Sequence, residues 1–309
     1  MKAILKWTKD LQNPIYRGLY PAIDPYDPLH CYIGDGWGST FPSMKLRRIS
    51  LETGGETASF RIKNTPRCIY IDKDKIFAAS DNKFFILNRE TLTLKKKIEK
   101  NILQYADYME FDGKDHILLM NHRGNYLVIL NYLQEKSKKK KIARSCRGIY
   151  KQSPGKFWIM DSYSGEIICY DLEKNTHQIL LKDKTFTQSE IVDFETAYLR
   201  GGDIVERQNI AYVELNSKFR IISLQTKECI DEFEIPFEFE KFNLSSDKEN
   251  LFLSGRNKFT VFSLKQKNIT GQYIFEEQEE IISFIHGKSD TLFTYNHNAN
   301  KLSCFVLTT

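Results

Sequence analysis

The sequence predicts an all-β fold, a seven-bladed β-propeller with four-stranded antiparallel blades. Three observations predict it. A strand-and-turn motif recurs seven times, the spacing between copies suits one blade, and the N-terminus supplies a strand that the last copy lacks.

The motif is an alternating apolar run that ends in a small polar residue before a polar turn. Its clearest copies are Leu46–Leu51, Ile168–Leu172, Arg220–Leu224 and Thr260–Leu264. Weaker copies are Phe84–Asn88, Val128–Asn131 and Cys304–Leu307. Aligned, they place Ser50, Asn88, Asn131, Asp171, Ser223, Ser263 and Val306 at one position, in steps of 38, 43, 40, 52, 40 and 43 residues. A blade of four short strands takes about 40–45 residues, so seven copies fill the chain as a single domain over 1–309.

Within each copy, short apolar runs alternate with turn residues. The second copy reads as strands Arg67–Ile71, Lys75–Ala79, Lys83–Leu87 and Leu92–Ile98, with Asp72-Lys73-Asp74 and Ser80-Asp81-Asn82 as turns. The 52-residue step marks an insertion near Glu195–Gln208, where Leu199-Arg200-Gly201-Gly202-Asp203 reads as a loop. The last copy runs Ile281–Ile285, Thr291–Tyr295 and Lys301–Leu307 and lacks one strand. Residues 2–8 alternate with the period of two that marks a strand, and are expected to form the missing outer strand.

Composition narrows the class. The formal charge of +5, from 45 basic and 40 acidic side chains, is too mild to demand an acidic partner. No run approaches the roughly 20 apolar residues that cross a bilayer. Lys6 breaks the opening apolar stretch before it reaches signal-peptide length, so a cytoplasmic protein without a membrane partner is expected. The six cysteines, Cys31, Cys68, Cys146, Cys169, Cys229 and Cys304, are dispersed with no C-x-x-C pair and read as reduced core thiols.

In repeat length and motif the chain resembles the WD40/YVTN-like propeller superfamily. Tyr170-Asp171 echoes the Trp-Asp dipeptide of WD40 repeats, while their Gly-His pair is missing. The resemblance implies an architecture. Function must be argued from a site.

Propeller ligands meet one rim, formed by the loops between second and third strands and by the blade-to-blade links. The longest such loop spans Gly34–Met44; its glycines permit close backbone approach, and it carries Trp37 and Phe41 beside Asp35. Arg67, Arg123, Arg147 and Arg256 fall at rim positions, as does Tyr163. Aromatic and Arg side chains are the types enriched at binding hot spots, and guanidinium groups suit carboxylates and phosphates. The expectation is therefore a non-catalytic binding or scaffold module. It would recognise a protein or peptide partner, or else a small anionic ligand, through Trp37, Phe41, Arg67, Arg123, Arg147, Tyr163 and Arg256.

The alternative is a hydrolase or lyase using Asp35, Asp161 and His122, two acids and a base on loops of different blades. No G-x-S-x-G elbow supports it. The histidines lack metal-ligand spacing, so no metal or cofactor is expected; His30 and His116, at strand starts, read as packing residues. The run Lys136-Ser137-Lys138-Lys139-Lys140-Lys141 has no interleaved aromatic residue and falls on an outer hairpin. It reads as a solvated, charged strand edge, and a nucleic-acid partner is not expected.

Overall fold

The alternation of apolar residues along short runs, each closed by turn chemistry, becomes a set of antiparallel sheets. In the computed structural model the chain is an all-β propeller with four-stranded antiparallel blades. The structure describes all residues except 1, 16–18, 37–43, 65, 100–105, 122–125, 144–145, 162, 183–200, 206–209, 216–217, 238, 240, 246–248, 286–289 and 309. Side chains of 147, 201–205, 211–215, 241 and 285 are also outside the description.

The contacts divide the chain into two units. One comprises Met1–Lys97 with Phe239–Thr309, the other Ile98–Glu238. The first unit holds four sheets. They are β2 (Ala22–Ile23), β3 (His30–Asp35), β4 (Lys45–Ser50) and β5 (Glu56–Arg61); β6 (Ile69–Ile71), β7 (Lys75–Ser80), β8 (Lys83–Asn88) and β9 (Leu94–Ile98); β22 (Lys241–Leu244), β23 (Asn250–Ser254), β24 (Lys258–Ser263) and β25 (Asn268–Ile274); and β26 (Glu279–Ile285), β27 (Asp290–Asn296) and β28 (Lys301–Thr308) with β1 (Lys2–Asp10). The second unit holds three. They are β10 (Tyr108–Phe111), β11 (His116–Met120), β12 (Tyr126–Asn131) and β13 (Lys136–Lys141); β14 (Cys146–Ser153), β15 (Lys156–Asp161), β16 (Glu166–Asp171) and β17 (Thr176–Lys182); and β18 (Gly201–Val205), β19 (Ile210–Leu215), β20 (Lys218–Ser223) and β21 (Cys229–Glu234).

Most strands fall where the sequence pattern puts them. The segment Leu199–Asp203 is a correction: Gly201–Val205 is a strand, not a loop, paired in register from Gly201↔Glu214 to Val205↔Ile210. Two adjacent glycines look like a turn, but a backbone ladder needs no side chain, and the neighbouring strand supplies its hydrogen bonds. The extra residues of the long step then fall in the connection 183–200, outside the described residues.

The N-terminal strand pairs as expected. β1 runs antiparallel to β28 from Lys2↔Thr308 to Asp10↔Lys301. Trp7 anchors it: the ring is buried against Phe293, with centroids 6.0 Å apart, and Nε1–H donates to the Leu51 carbonyl at 3.0 Å. One side chain thus joins the strand of one sheet to a turn of the β2–β5 sheet.

The recurring polar position has a structural cause. In six sheets it is the last residue of the third strand, and its side chain caps the turn into the fourth. Asn88 Oδ1 accepts from the Thr91 N–H at 2.9 Å, Asn131 from Gln134 at 2.9 Å and Asp171 from Lys174 at 2.9 Å. Ser50, Ser223 and Ser263 accept from Thr53, Thr226 and Gln266 at 3.3, 3.1 and 3.2 Å. Four residues beyond each cap the backbone turns left-handed, at Gly54, Leu92, Glu135, Asn175, Lys227 and Lys267, with φ between 51° and 71° at these and at Asn300. The N–H at that point closes the turn on the capping residue's own carbonyl, as in Leu92 to Asn88 at 3.0 Å and Lys267 to Ser263 at 2.8 Å. The seventh sheet departs from the pattern: Val306 lies within β28 opposite Thr291, and the fourth strand is β1 from the N-terminus, so this sheet has no turn from third to fourth strand for a side chain to cap.

The residue after the cap is buried as Leu51, Tyr132 and Leu224 and half-buried as Leu172 and Leu264. Arg89 occupies that place in the β6–β9 sheet and is also buried. Its guanidinium reaches the buried Asp24 of the preceding sheet at 2.7 Å, and Tyr32 Oη donates to the same carboxylate at 2.9 Å. Arg48 bonds Asp27 at 2.5 Å and lies 3.8 Å from Asp24. A buried charge network therefore joins the first two sheets, beside an apolar seam formed by residues such as Leu46, Ile76, Phe85 and Leu87.

All six cysteines are free thiols; Cys31, Cys146 and Cys304 are buried and Cys229 is exposed. Burial pushes the Cys304 thiol up to about 12, with the nearby Lys6 charge acting in the other direction. No helix among the described residues is long and apolar enough to cross a membrane.

Two stability outcomes follow from the turn geometry. Asp171→Ala removes a cap and is expected to cost about 1 kcal/mol in urea unfolding. Lys267→Gly relieves a left-handed non-glycine residue at an exposed site and is expected to gain about 0.5 kcal/mol. A neutral result for both would contradict this account of the turns.

Candidate functional site

The sheet β10–β13 meets β14–β17 through an apolar seam. Leu118, Leu127, Ile129, Phe157, Ile168 and Tyr170 form its buried centre. At the end of these blades that carries the first-to-second and third-to-fourth turns, the seam opens into a cavity of about 510 Å³. This is the opposite end from the loops between second and third strands.

One wall is the β10–β11 turn. Gly113, at φ +90°, lets the chain reverse. Asp112 Oδ1 accepts from the backbone N–H groups of Lys114 at 2.7 Å and His116 at 3.0 Å. His116 Nδ1 lies 3.2 Å from Asp112 Oδ2 and 2.8 Å from Asp115 Oδ1. Asn131, the cap of the next turn, donates through Nδ2 to Asp115 Oδ2 at 2.6 Å. The sequence pattern assigns His116 to packing, and it does lie at a strand start. Asp112, Asp115 and His116 bring one donor atom each within 4.8 Å of one another, a spacing that suits a metal ion. The bonds above already account for the trio as a turn network.

The other wall is the β16–β17 turn. Tyr170 Oη donates to Asn175 Oδ1 at 3.0 Å. Burial, and after it the Asp171 charge, pushes the Tyr170 phenol up to about 12, so it remains a neutral donor near pH 7. Ile129 and Leu172 supply apolar surface. Lys136 and Lys138 line the cavity from β13 and Lys114 from the turn. Sequence pattern does not single out this cavity; its one visible signal is the lysine run on an outer strand.

The predicted rim residues are placed as follows. Asp35 ends β3 and is completely buried, with Arg47 Nη2 at 3.0 Å from Oδ2 and Arg47 Nε at 3.2 Å from Oδ1. Arg47 also pairs with Glu56. Burial alone would lower the Arg47 pKa; the Asp35 and Glu56 carboxylates raise it above the ordinary value. Asp161 ends β15, also buried, and holds the hairpin turn by accepting from Tyr163 N–H at 3.0 Å and Ser164 Oγ at 2.9 Å. Asp161 and Tyr163 are thus brought together by the turn, with Tyr163 half-buried. Arg67 is half-buried in the link between β5 and β6. Arg256 is exposed at the β23–β24 hairpin tip. Arg147 falls in β14, its side chain outside the description. Trp37, Phe41, His122 and Arg123 lie outside the described residues.

No family model matches the chain, and no curated protein matches it either. The likeness to the WD40/YVTN-like superfamily therefore rests on architecture.

The Asp35–Arg47–Glu56 cluster makes two outcomes testable. Arg47→Met strands a buried carboxylate, and a loss of about 3–5 kcal/mol is expected in denaturant unfolding. Burial would raise the Glu56 pKa, but hydrogen bonds from Ser59 and Arg47 and the charge of Arg47 hold it below the ordinary carboxylate value. A depressed carboxylate stabilises the fold above its unfolded pKa, and that contribution is lost as pH falls through the folded pKa. Melting temperature should therefore drop on acidification below the usual carboxylate range, and less steeply in Glu56→Gln. Identical acid profiles for the two proteins would contradict the pairing.

Proposed function

We propose that the protein is a non-catalytic binding module: a single seven-bladed ring in the cytoplasm whose loop-bearing rim holds a protein or peptide partner. What supports binding over catalysis is the commitment of both acids that a propeller hydrolase or lyase would need. Asp35 is completely buried in a two-point contact with Arg47, and Asp161 is spent on its own turn. A general acid or base must reach the proton it transfers, and a carboxylate completely buried in an ion pair is out of reach of a ligand at the rim.

The rim side chains of the expected platform are Trp37, Phe41, Arg67, Arg123, Arg147, Tyr163 and Arg256. Arg256 is suited to the role, being exposed at a hairpin tip whose backbone is fixed by the Gly255 N–H bond to Lys258 O at 2.8 Å. A fixed backbone lowers the ordering cost of docking. The pairing of β1 with β28 supports treating the chain as one ring, since it brings the two termini into one sheet.

The test is quantitative co-purification from cytoplasm with wild type, Trp37→Ala/Arg256→Ala and Arg147→Ala. A partner recovered with wild type and reduced at least about tenfold with the variants, at unchanged melting temperature, is the expected result. Equal recovery by all three proteins would remove the rim assignment.

A further inference from the structure

We propose that the cavity between the β10–β13 and β14–β17 sheets is a binding site for a small phosphorylated ligand, held by Lys114, Lys136 and Lys138. This goes beyond the rim reading and does not depend on it, because the cavity lies at the other end of the blades.

The argument begins with the register of β13. Lys136 pairs with Asn131, Lys138 with Ile129 and Lys140 with Leu127. Directly paired residues share a face, and Ile129 and Leu127 lie in the seam with the next sheet. The three lysines therefore form a row on the face that looks across to β14–β17. Lys139 and Lys141, one step out of phase, lie on the other face of the same strand.

Lys140 shows what this row does when an acceptor is available. Its Nζ reaches the Asn175 carbonyl, bonds Asn175 Oδ1 at 3.2 Å and sits 5.1 Å from the centre of the Tyr170 ring. Lys136 and Lys138 continue the row into the cavity, and Lys114 joins them from the facing turn. None of the three ammonium groups makes a hydrogen bond or ion pair among the described residues.

The remaining polar groups of the cavity are largely satisfied. Asp112 accepts from two backbone N–H groups, Asp115 from Asn131, and both take His116 Nδ1. Asn131 and Asn175 accept as well, from Gln134 and Tyr170. Glu173 is the one lining carboxylate outside this network, at the mouth beside Gly155. What the cavity leaves unmet is donor capacity, nine N–H bonds on three ammonium groups. A ligand must bring acceptors, and a phosphate offers several around one centre and takes charge-assisted bonds from lysine. A volume of about 510 Å³ falls within the range of small-molecule sites. It would admit a ligand of nucleotide or sugar-phosphate size, with Ile129 and Leu172 as apolar surface for its organic part.

Isothermal titration with inorganic pyrophosphate at low salt tests the site. The variants are Lys136→Glu/Lys138→Glu, Lys114→Ala and a charge-matched control, Lys139→Glu/Lys141→Glu. All five lysines are exposed, so folding should be preserved, and melting temperatures check it. One saturable site is expected, weakened about tenfold or more in the first double variant, weakened in Lys114→Ala, and within about twofold of wild type in the control. Equal loss in both double variants, or no saturable binding, would overturn the proposal by reducing the lysines to diffuse surface charge. Citrate binding as tightly as pyrophosphate would overturn the assignment to phosphate. A single-stranded oligonucleotide that needs Lys139 and Lys141 would make the strand a nucleic-acid surface and overturn it too. Trp37→Ala/Arg256→Ala should leave pyrophosphate binding intact, which separates failure here from failure of the rim reading.

Discussion

The ladder between β1 and β28 is the interaction on which the arrangement of the chain ends depends. Three strands of the last sheet come from the C-terminal segment, and the fourth comes from the opposite end of the chain. The pairing covers the length of both strands, with one bulge between Leu5 and Trp7. That bulge falls just before the residue that matters most. Trp7 turns its ring into the core of its own sheet and its N–H to Leu51 of the β2–β5 sheet. Closing such a contact costs loop entropy that grows only slowly with chain length. A long ladder plus one buried aromatic residue offsets it. The same arrangement covers the outer edge of β28, which would otherwise present unpaired N–H and C=O groups.

Within the six sheets built from consecutive strands, a shared constraint is the turn after the third strand. Its cap, its left-handed fifth residue and its inward-packed second residue recur with little change. The cap explains why the motif was legible in the sequence at all: short polar side chains such as Ser, Asn and Asp can accept from a backbone N–H two or three residues on without disturbing the turn. Leu51, Leu172, Leu224 and Leu264 gave the apolar half of the signal. The strand at Gly201–Val205 was not legible for the converse reason. Its paired glycines carry no side-chain pattern, and what makes it a strand is the partner at Ile210–Leu215.

The sites were less legible than the fold, because their residues change meaning with burial. Asp35 reads as a rim acid beside glycines, yet Arg47, twelve positions on, sits opposite Ser59 in a strand pair and turns inward to it. Arg89 follows a cap, where its equivalents are Leu or Tyr. It is buried against Asp24, 65 residues earlier in the chain. Charge buried in this way is rarely a net gain over apolar packing, but it penalises every mispaired alternative. The network among Asp24, Asp27, Tyr32, Arg48 and Arg89 adds a directional charged contact to the apolar seam at the first junction. Sequence spacing carries no trace of such a junction, since Arg89 comes from the second repeat and its network partners from the first.

The lysine run shows the limit from the other side. Read as composition, Lys136–Lys141 is a solvated edge, and its place on the outermost strand agrees with that. Strand geometry splits it into two faces of different character. One face meets water. The other looks onto a neighbouring sheet, where the first lysine to find an acceptor, Lys140, has docked on Asn175 and Tyr170. A strand edge needs charge to stay unpaired with other chains, and alternate positions suffice for that. Charge on the inward-looking positions can be met by water, by the next blade or by something bound between the blades. The turns of β14–β17 supply an acceptor for one lysine of the three, and the space beside the other two is open.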